Sequence, residues 1–292
     1  MLPTATEIVL PEQDWTAAAQ RHRDRAERFL AAHTGSEPHP VWDFLFTYYS
    51  LRPRQLLRWH PGYGVVLAGA GARDYVERTG YTRHPAGTTV SGQWLHSRMA
   101  TVRFVLDLLR RTAQRPAAHN CFGLHEWAMV YRPDTTIRHS GVPLRLGQDG
   151  TDAVVESMPL RCTHYDAFRF FTPGARPKNA AELSRETQAA HEQPGCLHAA
   201  MDTYKWCFKL LPLTDSDLLL DCLELAADAR ALDMRASPYD LSEYGFEPIR
   251  IEDAAGRAEY VRAQAEITRR AAPLRDALIR RCERLVAAAD TA

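Results

Sequence analysis

The chain has 292 residues, 45% of them hydrophobic and 25% charged, and its 36 basic and 36 acidic side chains leave no formal net charge. That apolar content excludes intrinsic disorder as a description of the whole chain. The longest uncharged apolar run, Val65 to Ala72, is far shorter than the roughly 20 residues a spanning helix needs.

Taken in chain order, hydrophobic periodicity favours helix over most of the length. Residues 12–33 predict an amphipathic, highly charged helix. A Gly/Pro break at 35–40 leads to an aromatic stretch, Trp42 to Trp59, and Gly64–Leu67 is a short apolar segment of strand type. Ser91 is placed to cap a helix in which Leu95, Met99, Val102, Leu106 and Leu109 recur at three- and four-residue steps. Beyond Pro116 a second apolar helix is expected over about 119–132. The region 133–195 reads as the irregular part of the fold, with one or two short strands and a short helix near 150–157. From 196 helices resume: Leu197, Met201, Tyr204, Phe208 and Leu211 form one stripe, and Leu218, Cys222, Leu225, Ala229 and Leu232 another, capped by Thr214 or Asp215. A last surface helix over about 254–289 is expected to bend or break at Pro273. The expectation is a mainly α fold: one globular helical domain over 1–292 with an irregular, β-containing central region.

Six cysteines show no CxxC pair and the N-terminus has no signal-peptide pattern, so reduced thiols in a cytoplasmic protein are expected. Arginine supplies 33 of the basic residues; the only lysines are Lys178, Lys205 and Lys209.

Three segments carry chemistry. CFGLHEWAMVYR (121–132) places His125 and Glu126 in a helix apolar all round, where an ionised carboxylate needs a partner. It lacks the HExxH of a zinc protease, since residue 129 is Met. RCTHYDAFRFF (161–171) interleaves His164, Asp166 and Arg169 with Tyr165, Phe168, Phe170 and Phe171, a combination suited to a flat heterocycle. In EQPGCLHAAMDTYKW (192–206) and the residues after it, His198, Asp202, Lys205 and Lys209 fall on one polar ridge of a helix, and a His and an Asp four apart can share a metal or a proton. The next helix carries an acidic ridge, Asp217, Asp221, Glu224 and Asp228, placed to answer the lysines or to face water. Arg52, Arg54 and Arg58 alternate with Tyr49, Trp59 and Tyr63, a pattern compatible with phosphate contacts and base stacking, although a neutral chain lacks a strongly basic footprint.

These blocks, with HPVWDFLFTYYSLRPRQLLRWHPGYGVVL and LDMRASPYDL, resemble an actinobacterial family of about this length whose members are named 3-methyladenine DNA glycosylases. The resemblance implies DNA repair by hydrolysis of the N-glycosidic bond of an alkylated purine, with DNA as partner and no cofactor. Such a reaction flips the cationic base out, stacks it, and stabilises an oxocarbenium-like sugar with a carboxylate. Under it Glu126, Asp166 and Asp202 are the candidate carboxylates, accompanied by His164, His198 and Lys205. Trp127, Tyr131, Tyr165, Phe168 and Arg169 would hold the base, and Arg52, Arg54 and Arg58 the phosphates. The residues alone support a second expectation, a mono- or dinuclear divalent metal site built from His125, Glu126, His164, His198 and Asp202, acting on a small aromatic or nucleobase-like molecule. A third is a non-catalytic binding protein whose buried polar groups are structural.

Overall fold

A computed structural model describes residues 7–133 and 141–291; residues 134–140 of the central irregular region lie outside it. Strand β1 (Ile8–Leu10) runs into helix α1 (Glu12–His33), which starts at Pro11 with Glu12 and Asp14 in its first turn, where negative charge meets the positive end of the helix dipole. Short helices α2 (Asp43–Thr47) and α3 (Pro53–Leu56) follow, then strand β2 (Val65–Leu67) and the one-turn helix α4 (Arg73–Val76). Strands β3 (Tyr81–His84) and β4 (Gly87–Val90) form a hairpin.

The four strands make one small sheet in the order β1-β2-β4-β3, with β1 and β2 parallel and the other pairs antiparallel. Gly87 lies at φ 150° where β4 meets β2, and a Cβ there would come 1.9 Å from the Leu67 carbonyl oxygen. Helix α1 is tied to this sheet by its Trp15 indole, which donates to Ala68 O at 2.9 Å.

The strands lie between residues 8 and 90, where β2 falls on the strand-type segment Gly64–Leu67; in the central region, where one or two more are expected, only isolated bridges occur among the described residues, Leu144 to Tyr239 and Leu160 to Asn179. Strands of three or four residues are too short to display alternation.

Helix α5 (Gly92–Gln114) begins where Ser91 Oγ accepts from Trp94 N at 3.0 Å, and its expected stripe is buried. The helix expected over 119–132 contracts to α6 (Leu124–Ala128). Phe122 and Gly123 take φ of 51° and 72°, so left-handed residues block the helix at its N-terminal end, and Arg132, beyond its C-terminal end, takes 41°. Next come α7 (Gly147–Ser157), α8 (Tyr165–Phe168) and α9 (Gln188–His191). Helix α10 (Leu197–Lys209) is followed by α11 (Ser216–Arg235), capped by Asp215, and by α12 (Ala254–Thr291).

Helix α12 passes through Pro273 without a break and buries one face while much of the remainder stays exposed. It buries Tyr260, Ile267, Ala271, Leu278, Cys282 and Leu285 against α5, α10 and α11, a gain that offsets the roughly 3 kcal/mol an interior proline costs. These four helices form the core bundle, and α6, α8 and α9 close one side of it. The six cysteines are free thiols. Among the described residues no helix is long and apolar enough to cross a membrane.

Candidate functional site

The polar residues singled out in three separate segments meet in one buried network. Most of the α10 ridge does not face solvent: His198, Asp202 and Lys205 are buried, and Lys209 at its end is exposed. The spacing of four puts His198 and Asp202 on one helix face, and that face looks inward toward α6, α8 and α11.

The first group joins His125 of α6, His198 of α10 and Asp233 of α11. One ligand-type atom from each lies within 4.8 Å of the others. His125 Nε2 and Asp233 Oδ1 are 2.8 Å apart, yet neither atom has the alignment a hydrogen bond requires, and His198 Nδ1 is likewise buried without a partner. The remaining atoms are held from outside the group. His125 Nδ1 faces Cys121 Sγ at 3.6 Å, and Asp233 Oδ2 accepts from Arg230 Nη1 at 3.4 Å. Burial opposes a charged His125, but the neighbouring Asp233 carboxylate outweighs it and holds the imidazole well above its ordinary pKa. For His198 burial, reinforced by His125 and His164, outweighs the nearby Asp233 and Asp202 and pushes it well below.

The second group joins His164, Glu192 and Asp202, again within 4.8 Å of one another. His164 Nε2 lies 3.3 Å from Asp202 Oδ2 and 3.4 Å from Glu192 Oε1. This group is already neutralised. Lys205 Nζ donates to Asp202 Oδ2 at 2.8 Å and to Asp166 Oδ2 at 2.7 Å. Arg185 donates to Asp166 Oδ1 at 3.0 Å, and Gln188 donates to Glu192 Oε1 at 2.5 Å. Burial pulls the Lys205 pKa down, but Asp202 and Asp166 together raise it above the ordinary lysine value. Lys205 is thus a fixed ammonium and not a free amine nucleophile.

The His198 ring links the groups, meeting His164 in a stack at 5.2 Å and His125 edge-on at 4.6 Å between centroids. Two open cavities lie beside the network, the first at Arg230, which contacts Asp233, and the second at Asp166 and Lys205. One, of about 600 Å³, is lined by His39, Phe44, Tyr48, Glu126, Arg230 and Tyr244. The other, of about 560 Å³, is lined by Tyr48, Asp166, Arg169, Lys205, Trp206 and Lys209 among others.

Several expected roles change. Glu126 is not in either ligand group; its carboxylate accepts from Arg230 at 2.9 Å. Trp127 is fully enclosed, its indole donating to Ala236 O at 2.8 Å, and Tyr131 is buried with its hydroxyl on Glu156, so neither offers a face for a base. Tyr165, Phe168 and Arg169 line a third cavity, of about 570 Å³, with Arg185. Arg54 and Arg58 line a groove far from Arg52 in role: Arg52 only begins α3. The acidic ridge of α11 answers arginines and not lysines, with Asp221 and Glu224 on Arg25 and Asp228 on Arg270.

Asp233, Arg230 and Glu192 are absent from the sequence-based candidates. The available signal is on α11, where Arg230 and Asp233 stand apart from the acidic ridge on a helix buried along most of its length. Comparison with models of known protein families, with curated proteins and with solved structures finds no match.

Proposed function

We propose that this chain is a metal-dependent enzyme in which His125, His198 and Asp233 bind one divalent first-row transition metal, beside a proton-handling network of His164, Glu192, Asp202, Lys205 and Asp166. One observation carries the reading: His125, His198 and Asp233 each offer one ligand-type atom within 4.8 Å of the others, and beside the His125–Asp233 ion pair His198 Nδ1 is buried without a partner. Buried polar atoms are nearly always satisfied, and a shared cation would account for the unpartnered imidazole beside the pair.

Two imidazoles and a carboxylate suit iron, manganese or zinc. Three protein ligands leave room for water and substrate, and a metal so held supplies Lewis acidity or an activated water. The outer contacts match this role. Cys121 faces the other nitrogen of His125, and Arg230 holds the other oxygen of Asp233, as outer partners orient metal ligands. The second group has less room for a cation because the Lys205 ammonium already binds Asp202. A small aromatic or nucleobase-like substrate fits the ring-lined cavity that ends on Glu126 and Arg230.

Elemental analysis of protein purified without chelator tests the proposal. The expected content approaches one metal per chain in the wild type and falls sharply in His198→Ala and Asp233→Asn. Less than about 0.2 metal per chain, with no gain on reconstitution with Fe(II), Mn(II) or Zn(II), overturns it. The base-excision reading has weaker support, because the carboxylates of Glu126 and Asp166 are each held by a cation. Release of free methylated base from alkylated DNA by metal-free protein would favour it instead.

A further inference from the structure

A second site lies on the opposite chemistry, in a groove of about 420 Å³ between α1, α3 and the end of α4. Four arginines line it, Arg23, Arg54, Arg58 and Arg78, and no carboxylate does. Its apolar walls come from Trp15, Trp59 and Tyr75.

Elsewhere in this charge-balanced chain 13 of the 28 described arginines outside the groove have acidic partners, such as Arg25 with Glu224, Arg110 with Glu283 and Arg145 with Glu252. In the groove only Arg23 has one, Glu27, at a loose 3.8 Å between exposed side chains. Among the described residues Arg54, Arg58 and Arg78 form no ion pair. Arg78 lies flat over the Tyr75 ring at 3.8 Å, and its Nη1 is buried with no acceptor. The Tyr75 hydroxyl is itself tied to Trp59 O at 3.2 Å, so the platform under Arg78 is fixed. The uncompensated charge is felt nearby: after burial, Arg78 is the largest cause of the depressed pKa of His60, and Arg58 adds to it.

Four arginines lining one groove with no carboxylate among its lining residues leave it positively charged. Their planar forks match carboxylate and phosphate oxygens, and only a multiply charged anion balances several of them at once. We infer that this groove is a binding site for adjacent phosphate groups. The chemistry is shared by a free di- or triphosphate and by a nucleic-acid backbone. The site is independent of the metal reading, since none of its residues belongs to either ligand group.

Titration calorimetry with inorganic pyrophosphate, and fluorescence anisotropy with a labelled single-stranded oligonucleotide, test the site on the full chain. The expected result is binding of at least one probe, weakened about tenfold or more by Arg54→Gln, by Arg58→Gln and by Arg78→Gln, and unchanged by Arg110→Gln. Arg54 and Arg58 are exposed, so their variants keep the test open if Arg78→Gln disturbs folding. Pyrophosphate binding alone assigns the site to a free anion. Oligonucleotide binding with the same sensitivity to the variants, falling steeply with salt, assigns it to a phosphodiester backbone. Binding of neither probe, or binding that the groove variants leave unchanged, overturns the inference.

Discussion

Replacing Lys205 with Met removes the cation shared by two buried carboxylates while keeping most of the apolar stem. The lost contacts are Lys205 Nζ to Asp166 Oδ2 at 2.7 Å and to Asp202 Oδ2 at 2.8 Å. The consequences are unequal. Asp166 retains Arg185 at 3.0 Å, whereas Asp202 is left with His164 at 3.3 Å and a long contact from the Tyr49 hydroxyl at 3.5 Å. Stranding one partner of a buried ion pair costs about 3–5 kcal/mol, and the residual partner of Asp166 places the expected loss at about 3–4 kcal/mol near neutral pH. Urea denaturation followed by tryptophan fluorescence, with an unchanged slope, measures it. A second substitution, Asp202→Asn, removes the stranded charge and should recover about 2 kcal/mol relative to Lys205→Met. A loss below about 1 kcal/mol, or a double variant no more stable than Lys205→Met, would refute the claim that Lys205 holds this network together.

Two further outcomes are expected. His60, buried and hydrogen-bonded to the Tyr81 hydroxyl at 2.9 Å, has its pKa pushed down to about 3, first by burial and then by Arg78, His22 and Arg58. Its folded-state pKa lies below the unfolded value of 6.5, so its contribution to stability is present above pH 6.5 and is lost as the pH falls toward 3. Between pH 7.5 and 5 the loss should be about 2 kcal/mol, and a His60→Asn variant that keeps the same pH slope in urea titrations would exclude His60 as its source. Gly87→Ala should destabilise the sheet by about 1–3 kcal/mol, because the new Cβ would lie 1.9 Å from Leu67 O; a change under about 0.5 kcal/mol in the same assay would mean that the strands separate without cost.

Long helices with chemical end signals were legible from sequence. Helix α1 spans the expected residues 12–33, and Ser91 and Asp215 cap α5 and α11. What periodicity does not encode is backbone hand. The left-handed Phe122 and Gly123 reduce a twelve-residue apolar stretch to one helical turn, and that turn is what aims His125 at α10 and Glu126 at Arg230. The i, i+4 spacing of His198 and Asp202 was visible, but its inward orientation depends on α6, α8 and α9 covering that face. Asp233 and Glu192 enter the site only through tertiary convergence, from segments separated from His125 and His164 by many residues.

The same convergence bears on whether the network is merely structural. Glu126, Asp166, Glu192, Asp202 and Asp233 are all buried, and desolvating a carboxylate costs several kcal/mol that pairing only repays when geometry is good. For Asp166 and Asp202 the repayment is evident in the short contacts to Lys205. For Asp233 it lies in the 2.8 Å ion pair with His125 and the Arg230 contact, which leave His198 Nδ1 beside them without a partner. An apolar replacement of similar volume would pack this position at no greater cost, so stability alone does not account for it. The proposed cation bound by these three residues would account for it, and the stacked His164 and His198 rings would then place the lysine-held network beside that cation, where a proton relay is useful.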